Sequence, residues 1–564
     1  MKHSFLLFSF LLLYLFFCSG EINGQTLPVG TPVLEDAYRR AQLLGQLDST
    51  VSFTARPFFP YSDLKIKNKF NPDSILNKGS INKSEGAFRI GKIKGEIKLL
   101  PVIWLHQFNS IRPFGFNDGA MIPAVGYQTL FSGGVFFKLG PLSIQLKPEF
   151  VYAENRSYQG FSEAQPEQVW EQYFNSVLNQ IDMPERFGEK AYSKMSWGQS
   201  SIRLTFGPLS LGLSNENLWW GPGIQNSLLM SNTAPGFKHI TLNTVRPLRT
   251  PIGSFESQII VGKLDSSGYM PLEPARMALY KNLYVSKPND WRYLNGFVFT
   301  YQPKWTPGIF LGMTRVFYLY SKDMGHSFSD YLPIIIPFQK INVGNTAEDA
   351  KKRDQLTSLF IRWLMVKEHA EFYFEFGRND HSYDLRDLTL EPEHSRAYIF
   401  GITKLFTLNA KKNEFIQFNF ESTQLEMTKT SENRDSPTWY VHYQVVDGYT
   451  NKGQVIGAGI GPGSNMQSIN ISWVKDLKMI GIGFDRIVNN NDFHYEAIKD
   501  DGSHWVDLGF SLFGKWNFKK LTLNARIEAI DAFNYEHLFI PRTYVFVSTN
   551  ILSTHSELGL TYTF

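Results

Sequence analysis

The stretch Leu521-Thr522-Leu523-Asn524-Ala525-Arg526-Ile527-Glu528 alternates apolar and polar residues without a break. Successive side chains of an extended chain point to opposite faces. Leu521, Leu523, Ala525 and Ile527 therefore share one face, and Thr522, Asn524, Arg526 and Glu528 share the other. Working outward, the same pattern recurs. Ile202, Leu204 and Phe206 alternate with Arg203 and Thr205, and Phe372, Phe374 and Phe376 with Glu371, Tyr373 and Glu375. Ile416, Phe418 and Phe420 alternate with Gln417, Asn419 and Glu421. A soluble β-sandwich also alternates, but it buries its apolar face against a second sheet and uses short connections.

The connections decide between the two. About 18 segments of this kind can be placed, from one near 88–107 to one near 555–564, an even count of the kind that closes an antiparallel barrel. Tight turns fall at Gly140-Pro141, Gly207-Pro208, Thr250 to Gly253, Lys367 to His369 and Asp476-Leu477. Long connections near 154–196, 265–291, 319–355 and 425–465 fall between them. Short turns on one side and long loops on the other predict an all-β transmembrane antiparallel barrel, apolar face to lipid, polar face to the lumen, long loops extracellular. The chain ends in His555-Ser-Glu-Leu558-Gly-Leu560-Thr-Tyr562-Thr-Phe564, alternating to an aromatic carboxyl terminus that resembles the assembly signal of outer-membrane barrels.

Composition agrees. The chain has 564 residues, 15% of them aromatic, yet a mean hydropathy of only −0.22, the balance of a barrel with a polar lumen. Met1-Lys2-His3 followed by the apolar run Phe5 to Phe17 predicts a signal peptide over 1–24, too short for the roughly 20 residues of a spanning helix. Its Cys18 is the chain's one cysteine, so the mature protein has no disulfide and no cysteine-ligated metal. A net charge of +4 offers nothing to nucleic acid. Residues 25–87 are expected to form a periplasmic N-terminal helix and a polar linker. Pro32 opens the helix, Glu35 and Asp36 occupy its first turn, and Leu34, Ala37, Ala41 and Leu44 share one face. Residues 88–564 then form the barrel with plug-forming loops. A further helical stretch from Pro166 lines up Val169, Trp170, Tyr173, Phe174, Val177 and Ile181, a stripe that simple packing explains better than a ligand groove.

The densest constellation is Asn215-Glu216-Asn217-Leu218-Trp219-Trp220-Gly221-Pro222-Gly223, continuing to Phe237. Paired indoles beside amide and carboxylate groups suit sugars, whose rings stack by a C–H face while their hydroxyls need hydrogen bonds. Glu216, Asn217, Trp219, Trp220 and Asn232 are therefore candidate polysaccharide-binding residues; the competing reading is an aromatic girdle or a folded loop core. Candidate lumen residues are Arg203, Glu371, Tyr373, Glu375, Asp507, Arg526 and Glu528, whose mixed signs suit internal pairing better than an ion-selective ring. With the loops near 154–196 and 425–465 they are expected to close the lumen.

This segment resembles the signature region of the Wzi capsule assembly family, in the divergent branch of Bacteroidetes-type bacteria. Pro32 to Leu47 with Arg39-Arg40, Ile181 to Gly188, and Gly453 to Gly463 resemble it too. The resemblance implies an outer-membrane barrel that binds or organises exported surface polysaccharide without catalysis, in contact with outer-membrane lipid and with a polysaccharide export complex as a further partner. Enterobacterial members carry a periplasmic helical bundle, where this sequence offers one helix. The alternative is a passive porin-like channel.

Other chemistry finds little support. Gly457, Gly459, Gly461 and Gly463 precede a strand, whereas a phosphate loop needs a following helix. His369, His381, His394, His442, His494 and His504 mostly lie in turns or loops, outside any nucleophile motif. Pro392 denies Glu391, Glu393 and His394 helical ligand spacing. No catalytic residue, metal site or cofactor is expected.

Overall fold

A computed structural model describes residues 25–60, 86–333, 352–379, 385–428, 437–500, 502–541 and 546–564. The signal peptide, the 61–85 linker and His381 lie outside the described residues. The chain forms a closed antiparallel barrel of 18 strands in sequence order. We number them β1 (Ile93–Asn109), β2 (Gly126–Leu139), β3 (Leu142–Leu146 and Glu149–Ala153), β4 (Tyr192–Ser196 and Ser201–Phe206), β5 (Leu209–Ser214) and β6 (His239–Thr244). There follow β7 (Gly253–Leu264), β8 (Arg292–Pro303), β9 (Ile309–Tyr320), β10 (Asp354–Met365), β11 (Ala370–Asn379) and β12 (Arg396–Asn409). The last are β13 (Glu414–Gln424), β14 (Asn465–Lys475), β15 (Lys478–Val488), β16 (Val506–Phe518), β17 (Leu521–Phe533) and β18 (Ile551–Tyr562). Closure comes from β18 on β1, in register from Tyr562 opposite Val102 to His555 opposite Asn109.

Local chemistry explains the irregularities. Pro148 interrupts β3 because it has no N–H for the ladder. Across from it, Gly198 interrupts β4 with φ +53, and a Cβ there would meet the Lys147 carbonyl at 2.6 Å. The first segment, expected to start at 88, splits at Gly91 (φ +62), so that Phe88–Ile90 folds back onto β1 as a short hairpin.

The alternation reports both faces. Ile202, Leu204, Leu211, Phe374, Ile480, Phe510 and Ile527 are among the exposed apolar side chains of the outer wall, while Arg203, Glu371, Glu375, Ser511 and Glu528 are buried inside. Trp363 and Trp305 stand near the short-turn end of the outer surface and Trp197 and Trp291 nearer the loops, where amphipathic rings meet lipid headgroups. The predicted turns connect strands at one end, and the long connections all emerge at the other.

Two helices matter for function. The first, α1, spans Leu34–Leu43, starting two residues later than Pro32 suggests, with Pro32 in the preceding turn. Instead of standing apart from the barrel, α1 sits inside its short-turn mouth. Leu43 packs there against Phe310, Leu364, Leu405, Phe415, Val474 and Met479, inward residues of the strands around it. The second, α2 (Glu167–Tyr173), runs on into a wider turn over Phe174–Leu178. Its stripe is covered by other loops: Trp170 stacks on Tyr280 at 4.1 Å and Tyr173 on Phe161 at 4.1 Å, with Phe493 edge-on.

Candidate functional site

Arg39, in the middle of α1, joins three parts of the molecule. Its Nε donates to Glu371 Oε1 at 2.7 Å, and its Nη2 to the Pro222 carbonyl at 2.7 Å in the segment after β5. Arg362 holds the other Glu371 oxygen at 2.8 Å. A buried carboxylate between two guanidiniums is tolerable because its charge is paired and its lone pairs are used. Arg40 beside it donates to Gln417 and to the Asp476 carbonyl, both at 3.1 Å. The N-terminal segment then pairs Ala55 with Trp220 and Arg56 with Trp219 as a two-residue antiparallel ladder. A Gly221 N–H to Thr54 carbonyl bond of 2.8 Å extends it.

The segment 215–237 folds back into the lumen instead of standing above it. Glu216 pairs with Arg203 at 2.7 Å and accepts from Thr26 and Ser214. The Asn217 side chain donates to the Ala234 carbonyl at 2.8 Å, and that of Asn232 to the Asn117 carbonyl at 2.7 Å. Trp220 is fully buried and donates to Gln258 at 2.9 Å. Trp219 is 3% exposed, with the Arg56 guanidinium 4.4 Å from its ring centre. All five candidate sugar-binding residues are thus buried and engaged internally. Neither indole presents a free face, and the pair serves as loop core.

The second inward segment, 437–464, packs on the first. Tyr440 and Tyr449 each donate at 2.8 Å to the Leu228 and Leu229 carbonyls, and Ser231 N–H meets the Ile456 carbonyl at 2.8 Å. Glycine is required at 457: a Cβ would lie 2.4 Å from the Leu228 carbonyl. Leu228, Leu229, Met230, Trp439, Tyr440 and Val455 form an apolar cluster with the inward Leu294, Val298, Val316, Leu356 and Ile399 of β8 to β12. Ile181 joins the cluster, and the Asp182 N–H meets the Asp447 carbonyl at 2.9 Å. The expectation that the loop near 154–196 plugs the lumen is corrected here. Its end reaches the plug, but its aromatic stripe is satisfied above it, and 215–237 takes its place.

The remaining lumen candidates are placed on the inner wall. Tyr373 donates to Glu421 at 2.6 Å, and Glu375 accepts from Ser358 at 2.6 Å. Asp507 pairs with Arg112 at 2.8 Å, while Arg526 reaches both Asp485 and Glu528 at 2.9 Å. These groups lie in separate local networks around the wall, not in one ring. Sequence reasoning did not make a candidate of Glu421, whose carboxylate accepts the backbone N–H groups of Ile224, Gln225 and Asn226 at 2.7 to 3.1 Å. Its polar-face position in β13 was legible; its partner loop was not. Arg56, Arg362 and the Trp439-Tyr440 pair were missed for the same reason.

A chamber of about 370 Å³, lined by both polar and apolar side chains, remains between α1, the inner wall and the loop tips near Asn117 and Asn232. A second cavity, of about 310 Å³, opens among the extracellular loops around Tyr158, Glu185 and Arg276.

Pro32 to Leu47, 215–237 and Gly453 to Gly463 thus converge on one plug, which Ile181 and Asp182 at the start of the Ile181 to Gly188 segment join. A family model described as capsule assembly protein Wzi matches residues 128–538. The chain belongs to the Wzi capsule assembly family. Among solved structures, it is similar to one titled as Wzi, an Escherichia coli outer-membrane protein involved in group 1 capsule assembly and a carbohydrate-binding β-barrel. The two share 12% identity over 96% of this chain and 100% of that one, with a TM-score of 0.60, a likeness of fold. Acinetobacter baumannii OccAB2 aligns at 11% identity over 83% of this chain and 98% of its own, TM-score 0.36. Pseudomonas aeruginosa OpdQ aligns at 8% over 84% and 98%, TM-score 0.37. No curated protein matches. These findings place the chain in the Wzi family without assigning it to a branch. As a Wzi-family barrel with an apolar outer belt, it is an outer-membrane protein.

Proposed function

We propose that this protein binds or organises exported surface polysaccharide at the cell surface, without catalysis, through its extracellular loops. The observation that carries the reading is the plug: 25–60, 215–237 and 437–464 interlock inside the barrel, leaving the loops as a platform over a plugged lumen. An unplugged barrel of roughly 16 to 18 strands would leave an aqueous channel, so a plugged one favours surface binding over solute passage. Membership of the capsule assembly family and the carbohydrate-binding description of the Escherichia coli barrel support the same reading. A polysaccharide export complex is a further partner within this proposal.

The test is a binding assay with the host's own surface polysaccharide, using purified full-length protein in detergent. Saturable binding is the expected result. No binding to that polysaccharide, together with large steady conductance in planar bilayers, would make the channel reading the better one.

A further inference from the structure

The loops between β3 and β4 and between β7 and β8 meet at the extracellular end around the cavity of about 310 Å³. Its volume lies at the lower end of the range for small-ligand sites. Its lining brings together three carboxylates, Glu163, Glu185 and Glu273, and two guanidiniums, Arg186 and Arg276, with the Tyr158 phenol.

Most of these groups are fixed before any ligand arrives. Arg276 pairs with Glu185, donates to the Phe161 carbonyl, and lies 5.3 Å from the Trp170 ring centre. Arg186 pairs with Glu273 at 2.7 Å and binds the Asn155 carbonyl. Glu185 also accepts the Phe161 N–H at 3.1 Å, and Tyr158 donates to the Glu185 carbonyl. Beneath them Phe161, Trp170, Tyr173 and Phe493 pack as an aromatic floor. Held in this way, the polar groups lose little freedom on binding, which favours affinity. Gln159, Glu163 and Ala164 remain exposed at the rim.

We infer that this cleft is a saccharide subsite that takes a neutral or amino sugar unit and rejects a uronic acid. Hydroxyl groups both donate and accept, so they can engage paired carboxylates and guanidiniums alike. Three carboxylates against two guanidiniums leave the lining net negative, which disfavours an acidic sugar and favours an ammonium. The inference rests on the polysaccharide-binding reading and locates it.

The experiment is titration calorimetry of the full chain in detergent with chitotetraose, its fully deacetylated counterpart, and tetragalacturonate. The neutral and amino probes should bind and tetragalacturonate should not. Ala164→Trp, which fills the cleft from its rim, should abolish binding while the protein keeps its heat-modifiable migration. Should that variant fail to assemble, Gln159→Ala with Glu163→Gln removes only rim contacts and should weaken binding about tenfold, as expected for lost polar contacts. Preference for tetragalacturonate, no heat from either other probe, or unchanged binding by assembled variants would overturn the subsite. The host polysaccharide separates this from the larger reading: if wild type and Ala164→Trp bind it equally, the subsite fails and surface binding stands. If wild type does not bind it, both fail.

Discussion

Trp219 and Trp220 show how a side chain suited to sugar stacking can be spent inside a protein. Both are buried where 215–237 meets the N-terminal segment, so their loss is a packing loss. Replacing both with Ala should cost about 3 to 5 kcal/mol for each buried ring, lowering the denaturant midpoint and slowing assembly. Polysaccharide binding per folded molecule should be unchanged; a folded, fully stable variant that loses binding would return these residues to the binding surface. Buried carboxyls in the extracellular loops make a second prediction. Burial and the nearby Glu185 push Glu536 up from its ordinary 4.5 to about 8. Burial, with Glu426 and Glu496 nearby, pushes Asp492 up to about 7. Such a group binds its proton more tightly folded than unfolded. It therefore favours the folded loops fully at low pH, and that contribution is lost as pH rises from about 4.5 through 8. Limited proteolysis of the loops should accelerate between pH 6 and 9, and Glu536→Gln should flatten the profile.

At the scale of elements, the plug is built from three pieces of chain distant in sequence that pack on one another. The 437–464 segment contributes Tyr440 and Tyr449, which donate to the Leu228 and Leu229 carbonyls, and Trp439, which packs in the same apolar cluster and donates to the Ser395 carbonyl at 3.1 Å. Deleting residues 428–462 should therefore open the lumen, with the intact protein near silent in planar bilayers and the deletion variant conducting steadily. Equal conductance would mean that 215–237 and 25–60 suffice to seal it. Glycine at 457 belongs to this scale as well. Its role is close approach between two loops, which also disposes of any phosphate-loop resemblance, since Asn465–Lys475 follows as strand β14.

For the whole molecule, closure depends on β18 meeting β1, and β18 ends at Tyr562 two residues before the aromatic terminus Phe564, whose ring lies edge-on to Tyr562 at 5.4 Å. Closed barrels keep their edges paired, so unheated protein should migrate faster than boiled protein in gel electrophoresis. Deleting Phe564 should slow assembly and accumulate precursor in the periplasm. Identical migration of heated and unheated protein, with release by alkaline carbonate, would count against the membrane barrel.

What the amino-acid order determined by itself is the wall. A period of two, turn residues such as Gly140-Pro141 and Gly207-Pro208, and the length of the intervening loops specify strand count, faces and orientation. Each of these is a local property of an extended chain between lipid and water. The membership of Arg203, Glu371 and Arg526 in the inner face was legible for the same reason. What only the tertiary structure decided is the filling. Whether Trp219 faces a sugar or Arg56, whether Glu371 meets Arg39 on a helix 332 residues away in sequence, and which loop enters the lumen depend on contacts between segments without periodicity. Local pattern carries no information about partners that far apart, and a buried aromatic and a binding aromatic read alike until the surrounding chain is folded around them.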